Sequence, residues 1–242
     1  MMAGEVSSLT IIGYVESPYK EKFAVPRQPN LATEARGKIC LTQDFSRPEL
    51  FTGLEKFSHI WLIFAFHLAK QNNRSMVRPP RLGGNQKVGI FASRSPFRVN
   101  NLGLSCVEFK GFENKTNGLN LLVAGLDLVD GTPIYDIKPY LPYADVITTA
   151  TSGFAESAPT AELSVEFEAG LNNQLKACEQ VYPGFKTLLI QVLGQDPRPA
   201  FHSDPERIYG VALVNWNVRF SVNKHSLMVC DIQPLTGSND TL

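Results

Sequence analysis

The 242-residue sequence predicts a mainly β protein: a non-Rossmann β-barrel over residues 9–146 and a small C-terminal α+β unit over residues 160–235. Three observations carry this expectation. Short apolar or alternating runs, separated by turn residues, follow one another up to Ala144 with almost no helical spacing between them, which suits a closed or nearly closed barrel better than a parallel α/β sheet. The stretch Ala144–Thr160 then turns rich in Ala, Ser and Thr, ends in Ala158-Pro159 and has no clear period, so it reads as a linker. Beyond it, apolar residues recur at helical spacing before strand patterns return.

Taken in order, Leu9–Val15, Lys38–Thr42 and Ile60–His67 read as strands. The run Ile60–Ala69 is the most apolar, yet far shorter than the roughly 20 residues of a membrane span, so it is expected as a buried central strand. Arg47–Leu54 reads as a helical turn. Strands Val88–Ala92, Leu104–Lys110, Leu119–Gly125 and Pro133–Ile137 follow, and Asn117-Gly118 marks a hairpin because both residues tolerate positive φ. After the linker, Leu163–Phe167 is a strand. Leu171, Leu175, Cys178 and Val181 define one helix; Phe185, Leu188, Leu189 and Val192 define another after Pro183-Gly184. Two closing strands are expected, one within Val211–Val222 and one at Ser226–Asp231, joined through Asn223-Lys224-His225. No internal repeat is visible.

Composition narrows the possible partners. Lys+Arg and Asp+Glu number 23 each, so a nucleic acid would have to be held by a local basic patch rather than by a global field. The four cysteines (Cys40, Cys106, Cys178, Cys230) are scattered among apolar residues without a C-x-x-C pair, which favours buried thiols and a reducing, cytoplasmic setting. Met1–Ser8 lacks the basic start and apolar run of a signal peptide. The four histidines form no metal-ligand cluster, and no metal site is expected. Glycine-rich phosphate loops and the G-x-S-x-G elbow are missing, so a nucleotide-like cofactor would not sit on the usual helix N-terminus.

Two segments concentrate polar chemistry. Arg74, Arg78, Arg81, Lys87, Arg94 and Arg98 fall in a stretch without a single acidic residue, stiffened by Pro79, Pro80, Gly83 and Gly84. Two readings stay open here: a phosphate-binding face, which the excess of Arg over Lys suits, or a solvated loop whose arginines pair with carboxylates elsewhere. The second segment holds Asp127, Asp130 and Asp136, with Lys138 and Tyr140 close by. A carboxylate there could accept from a ligand or take a proton, whereas Asp130 before Gly131 reads as a turn residue. Asp136 and Lys138 alternate with Ile137, which in an extended chain puts both on one face where they can pair. His67, ending the apolar run, reads as a satisfied structural residue, as does His59.

Several longer stretches add a resemblance. Ser17-Pro18-Tyr19-Lys20, Phe23–Pro29, Gly53–Trp61 running on to His67, Val77–Gly84, Phe91–Arg98, Leu126–Pro142 and Asp196–Pro199 resemble the TrmO family, also called YaeB or TsaA-like, of tRNA adenosine-N6 methyltransferases. The likeness covers nearly the whole chain, including the second unit. It implies a β-barrel main domain, a homodimer, and S-adenosylmethionine bound near the subunit interface. The implied substrate is threonylcarbamoyladenosine beside the anticodon of threonine tRNA. By motif, the implied cofactor contacts are Pro26, Arg27, Gln28, His67, Leu68, Arg94, Leu104, Leu126, Asp127, Leu128 and Val129. One stretch departs: after Arg98 the family usually reads Pro-Asn-Pro-Ile-Gly, and here Val99-Asn100-Asn101-Leu102-Gly103 stands instead.

Methyl transfer from a sulfonium is an in-line displacement in which positioning supplies much of the acceleration. The acceptor nitrogen is a poor nucleophile beside its carbonyl, so polarising groups would help. Asp136 and Lys138 are the catalytic candidates, with Lys138 meeting the threonyl carboxylate. Arg78, Arg81, Arg98 and Arg198 are the RNA-binding candidates, and no membrane contact is expected. Two other functions fit the residues: a binding module for S-adenosylmethionine or RNA without turnover, and a methyltransferase acting on another substrate.

Overall fold

The structure, a computed structural model, describes residues 8–70, 75–116, 118–157, 159, 163–198 and 204–235. Arg74, Asn117, Ala158, Thr160 and Pro199, each named above, lie outside the described residues.

The first unit is built on strands β1 (Gly13–Glu16), β2 (Gly37–Leu41), β3 (His59–Ala65), β4 (Met76–Val77), β5 (Val88–Gly89), β6 (Leu102–Lys115), β7 (Gly118–Ala124) and β8 (Pro133–Pro139). Period-two alternation sets their faces. In β3, Ile60, Leu62 and Phe64 are buried while His59, Trp61, Ile63 and Ala65 are half-exposed. Opposite them on β6, Ser105, Val107 and Phe109 are buried. Six strands pair antiparallel in the circular order β1-β2-β7-β6-β3-β8. The ring is uneven. The β3–β6 register runs from His59↔Glu108 to Ala65↔Leu102, whereas the β1–β8 seam consists of Gly13↔Ile134 and Tyr14↔Pro133. Strand β6 bends at a bulge between Phe109 and Gly111, where Gly111 takes φ 107°, a value that favours a residue without Cβ. The short pair β4–β5 stands apart from the ring.

A short helix α1 (Pro142–Asp145) leads into the linker segment. The second unit comprises β9 (Ser164–Phe167), α2 (Asn172–Val181), α3 (Phe185–Leu193), β10 (Tyr209–Leu213), β11 (Trp216–Asn223) and β12 (Ser226–Pro234). Its sheet has the order β10-β11-β12-β9, with β9 parallel to β12. Val211, Val218, Phe220, Val222, Leu227 and Val229 share one buried cluster with Leu175, Phe185, Leu188, Leu189 and Val192 of the helices. The Phe185 and Trp216 rings meet edge to face at 5.0 Å. That cluster is continuous with the interior of the ring.

Four expected elements differ in extent or kind. The run Val211–Val222 is two strands, because the chain turns at Val214-Asn215 with Val214 at φ 55°. A β-branched residue is costly there, and tertiary bonds hold it: Val214 N–H donates to the Pro18 carbonyl (2.7 Å) and Leu235 N–H to that of Asn215 (2.9 Å). Val88–Ala92 pairs only at Val88–Gly89 and then coils into a 3-10 turn, whose Ile90 carbonyl accepts from Ser93 Oγ and Arg98. Arg47–Leu54 forms two 3-10 turns, Pro48–Phe51 and Leu54–Lys56, split by Gly53 in the left-handed region. The strand expected from Leu9 begins its pairing in β1 at Gly13.

Candidate functional site

The site is assembled where β7 leaves the ring. Gly125 follows β7 at φ 75°, and a Cβ there would meet Asn30 Oδ1 at 2.2 Å. That closeness lets Asn30 tie the β1–β2 connection to the ring: its N–H donates to the Gly125 carbonyl (2.9 Å) and its Nδ2 to the Cys106 carbonyl (3.0 Å). Leu126 and Leu128 then plunge into the core, 0% and 2% exposed, with the half-buried Asp127 between them. Asp127 Oδ1 is enclosed and has no hydrogen-bond partner among the described residues. Burial pushes the Asp127 carboxyl up to about 6, against the Ser105 hydroxyl and the Arg94 charge, which pull it down. Arg94 in turn donates to Gln28 Oε1, and Gln28 Nε2 donates to the Arg27 carbonyl at 2.5 Å.

Residues 28, 94, 105 and 127 therefore converge although they are far apart in the chain. Leaving a buried acceptor unpaired costs about 1–3 kcal/mol, so Asp127 Oδ1 is an acceptor waiting for a donor. Beside it, Arg94 supplies a cation for an anionic group. A ligand bearing both a positively charged donor and a carboxylate fits this pair.

The other expected cofactor residues are placed unequally. Pro26 is buried and Arg27 exposed, with the Arg27 charge acting on Asp196 of the second unit. His67 and Leu68 form the turn after β3; burial lowers the imidazole pKa, and the Leu68 carbonyl accepts from Lys22 Nζ (3.3 Å). Behind this turn lies the departing stretch. Asn101 takes φ 48°, which no proline ring can adopt, accepts from Phe66 N–H (2.8 Å) and donates from Nδ2 to the Ala69 carbonyl (3.2 Å). Leu104 is 55% exposed on the outer face of β6, opposite in sense to buried Ser105. The Leu126 and Leu128 side chains are core-filling, and the Leu128 and Val129 carbonyls already accept from Ser17 Oγ (2.7 Å) and Thr132 Oγ1 (2.5 Å). Asp130 has the structural role expected of it, accepting from Ser17 N–H (2.8 Å) and pairing with Lys20 (3.0 Å).

Asp136 and Lys138 do pair, at 3.0 Å, on the outer face of β8 across from Ile63 and Trp61. Their side chains remain 48% and 62% exposed, and no described hydrogen bond or ion pair joins them to Asp127. Among the RNA candidates, Arg78 is exposed, and Arg81 is exposed while donating to the Ser157 carbonyl. Arg98 is folded back on its own loop: it donates to the Ile90 (3.1 Å) and Ser93 (2.7 Å) carbonyls and lies over the exposed Phe91 ring. Arg198 forks onto Asp196 with two 2.8 Å bonds; burial would raise the Asp196 carboxyl, but the fork outweighs it and holds it below the usual range. Ser105 and Asn30 were not anticipated. Ser105 left a trace, as the polar break in an inward row continued by Val107 and Phe109; Asn30 left none.

Residues 14–146 match the family model for the tRNA-methyltransferase O N-terminal domain, and residues 160–235 match that for the TrmO C-terminal domain. The chain belongs to the TrmO family. Over 226 residues it is 45% identical to the tRNA (adenine(37)-N6)-methyltransferase of Escherichia coli K12, covering 92% of this chain and 96% of that protein. It is 43% identical over 224 residues to a putative S-adenosylmethionine-dependent methyltransferase, RcsF, of Pseudomonas aeruginosa, covering 91% of this chain and 95% of that one. A crystal structure of TrmO from P. aeruginosa superposes with a TM-score of 0.81 at 37% identity, covering 97% of this chain and all of that one. The mainly β architecture is thus the TrmO architecture, and no helix among the described residues is long and apolar enough to cross a membrane.

Proposed function

We propose that this chain is an S-adenosylmethionine-dependent methyltransferase that N6-methylates adenosine 37 of tRNA, acting on the threonylcarbamoyl form in threonine tRNA. The observation that carries the cofactor is the enclosed Asp127 Oδ1, without a hydrogen-bond partner among the described residues, beside Arg94 and Gln28. When bound, the cofactor supplies an electrophilic methyl group to an acceptor nitrogen. Asp127 would accept from a donor on it, Arg94 would meet its carboxylate, and the Pro26–Gln28 and His67–Leu68 backbones would border it. The uneven ring acts as the barrel of a domain over residues 9–146, and residues 160–235 form a domain that contributes to tRNA contact. The half-exposed to exposed row Leu104, Ile63 and Trp61 on the ring's outer face supports a homodimer, and the unpaired thiols suit the cytoplasm.

At the acceptor, Lys138 would meet the threonyl carboxylate while Asp136 keeps the ammonium oriented along β8. Modified-nucleoside mass spectrometry of threonine tRNA, from cells with and without this protein, tests the reading. A methyl group on threonylcarbamoyladenosine that disappears with the protein is expected. Methylation confined to unmodified adenosine 37 would overturn the substrate, and no change in any tRNA would overturn the activity.

A further inference from the structure

The β1–β2 connection, residues 17–36, carries the Pro26–Gln28 segment and is gripped at both ends by the second unit. At its start, Tyr19 bridges to Leu213, and Val214 N–H donates to the Pro18 carbonyl (2.7 Å). Ala212 N–H donates to Glu21 Oε1 (2.9 Å). At its end, the Tyr182 hydroxyl accepts from Arg36 N–H and donates to the Glu34 carbonyl, both at 2.7 Å. Gln191 accepts from Glu34 N–H (3.0 Å) and donates to Thr33 Oγ1 (2.8 Å), and Gln195 donates to the Leu31 carbonyl (3.1 Å). The fit is close: a Cβ on Gly184, between α2 and α3, would meet Glu34 Oε2 at 2.6 Å.

Between these grips, over residues 22–30, the connection has little regular structure, and that stretch is tied to the first unit through Asn30, Gln28 and Lys22. Its ends are tied there as well, the Tyr19 carbonyl accepting from Asp130 N–H (2.8 Å) and the Ala35 carbonyl from Leu126 N–H (3.1 Å). Irregular backbone keeps one conformation only where its polar groups are satisfied from outside. Here much of that satisfaction comes from α2, α3 and β10. Burial pushes the Tyr182 phenol up to about 12, so it stays neutral and keeps its proton for Glu34 at working pH.

Resting on the cofactor reading above, we infer that Tyr182, Gln191 and Gln195 are positioning residues for methyl transfer, through which the C-terminal unit sets the shape of the cofactor loop. The ring alone does not complete the cofactor site. Tyr182 touches no reacting atom; it acts through Glu34 and Arg36 on the Pro26–Gln28 segment.

Calorimetry and initial rates on the full chain test this with S-adenosylmethionine as the probe. Tyr182→Phe and Gln195→Ala should each raise the cofactor Kd and KM, about tenfold for Tyr182→Phe, with kcat at saturating cofactor within about twofold of the parent. Leu227→Ala, a truncation in the core of the second sheet, serves as the control. It should lower the melting temperature and leave the cofactor Kd unchanged. Gln195→Ala removes a half-buried side chain and keeps the test readable where Tyr182→Phe folds poorly. Parent-like cofactor affinity in Tyr182→Phe and Gln195→Ala would overturn the inference. So would an equal rise in Kd for Leu227→Ala, which would reduce the effect to general loosening. A parent that takes up no cofactor at all would instead remove the methyltransferase reading and the inference with it.

Discussion

Asp127 is a carboxyl group in an enclosed position, and its titration has consequences for both stability and binding. Its native pKa of about 6 lies above the ordinary carboxylate value of 3.8, because burial penalises the charge. The native state therefore holds this proton more tightly than the unfolded chain does. The stability the group contributes is fully present below about pH 4 and is lost as pH rises through about 6. Asp127→Asn should accordingly be more stable than the parent at pH 7–8, by on the order of 2–3 kcal/mol, with the difference vanishing near pH 4. Cofactor affinity should move the opposite way. It should weaken in the parent as pH falls through about 6, and be low and flat with pH in the variant. Thermal melts and calorimetry between pH 4 and 8 check both, and identical pH dependence in the two proteins would remove Asp127 as the titrating group. Sequence placed Asp127 in the cofactor segment through resemblance. That one of its oxygens has no partner among the described residues, that Ser105 stands beside it, and that Asn30 pins Gly125 two residues upstream, depends on β6 and the β1–β2 connection arriving there in three dimensions.

At the scale of elements, short apolar runs between turn residues were legible: β3, β6, β7 and β8 all overlap their expected runs. Strand β3 and the first half of β6 do so by clean alternation with one buried face, β7 as a run that buries Leu119, Asn120 and Leu121 in succession. The basic stretch between β4 and the start of β6 was legible as charge and not as geometry. Its arginines divide, Arg98 serving its own loop and Arg78 and Arg81 remaining exposed. Changing Arg78 and Arg81 together to Ala should weaken tRNA binding and flatten the slope of log affinity against log salt by about 1–2, with cofactor affinity unchanged. Equal slopes for variant and parent would show that the two residues serve the fold, Arg81 through Ser157. On β8, the alternation that pairs Asp136 with Lys138 was readable from spacing alone. Because the pair is largely exposed, Lys138→Met should change stability by less than about 1 kcal/mol. Turnover on threonylcarbamoyladenosine tRNA should fall about tenfold or more while the cofactor Kd stays put. A variant that loses cofactor affinity would mark the pair as structural.

For the whole molecule, the outer face of β3 and β6 leaves Leu104 more than half exposed, with Trp61, Ile63 and Cys106 half-exposed around it. Light scattering at micromolar concentration should give about twice the 26.8 kDa chain mass. A monomer with full activity would sink the homodimer. Sequence by itself determined the mainly β class, the order of most elements, the change of pattern near Ala144 and, through resemblance, the family. Those are properties of local periodicity and of long shared stretches, which survive in one dimension. Tertiary structure alone decided the circular pairing of the six strands, the turn at Val214 and the grip of α2 and α3 on residues 31–36. Each depends on hydrogen bonds between residues more than 100 positions apart or on strands out of chain order. Hydropathy carries no record of such partners: Val214 reads as strand until Pro18 is there to hold it in a turn.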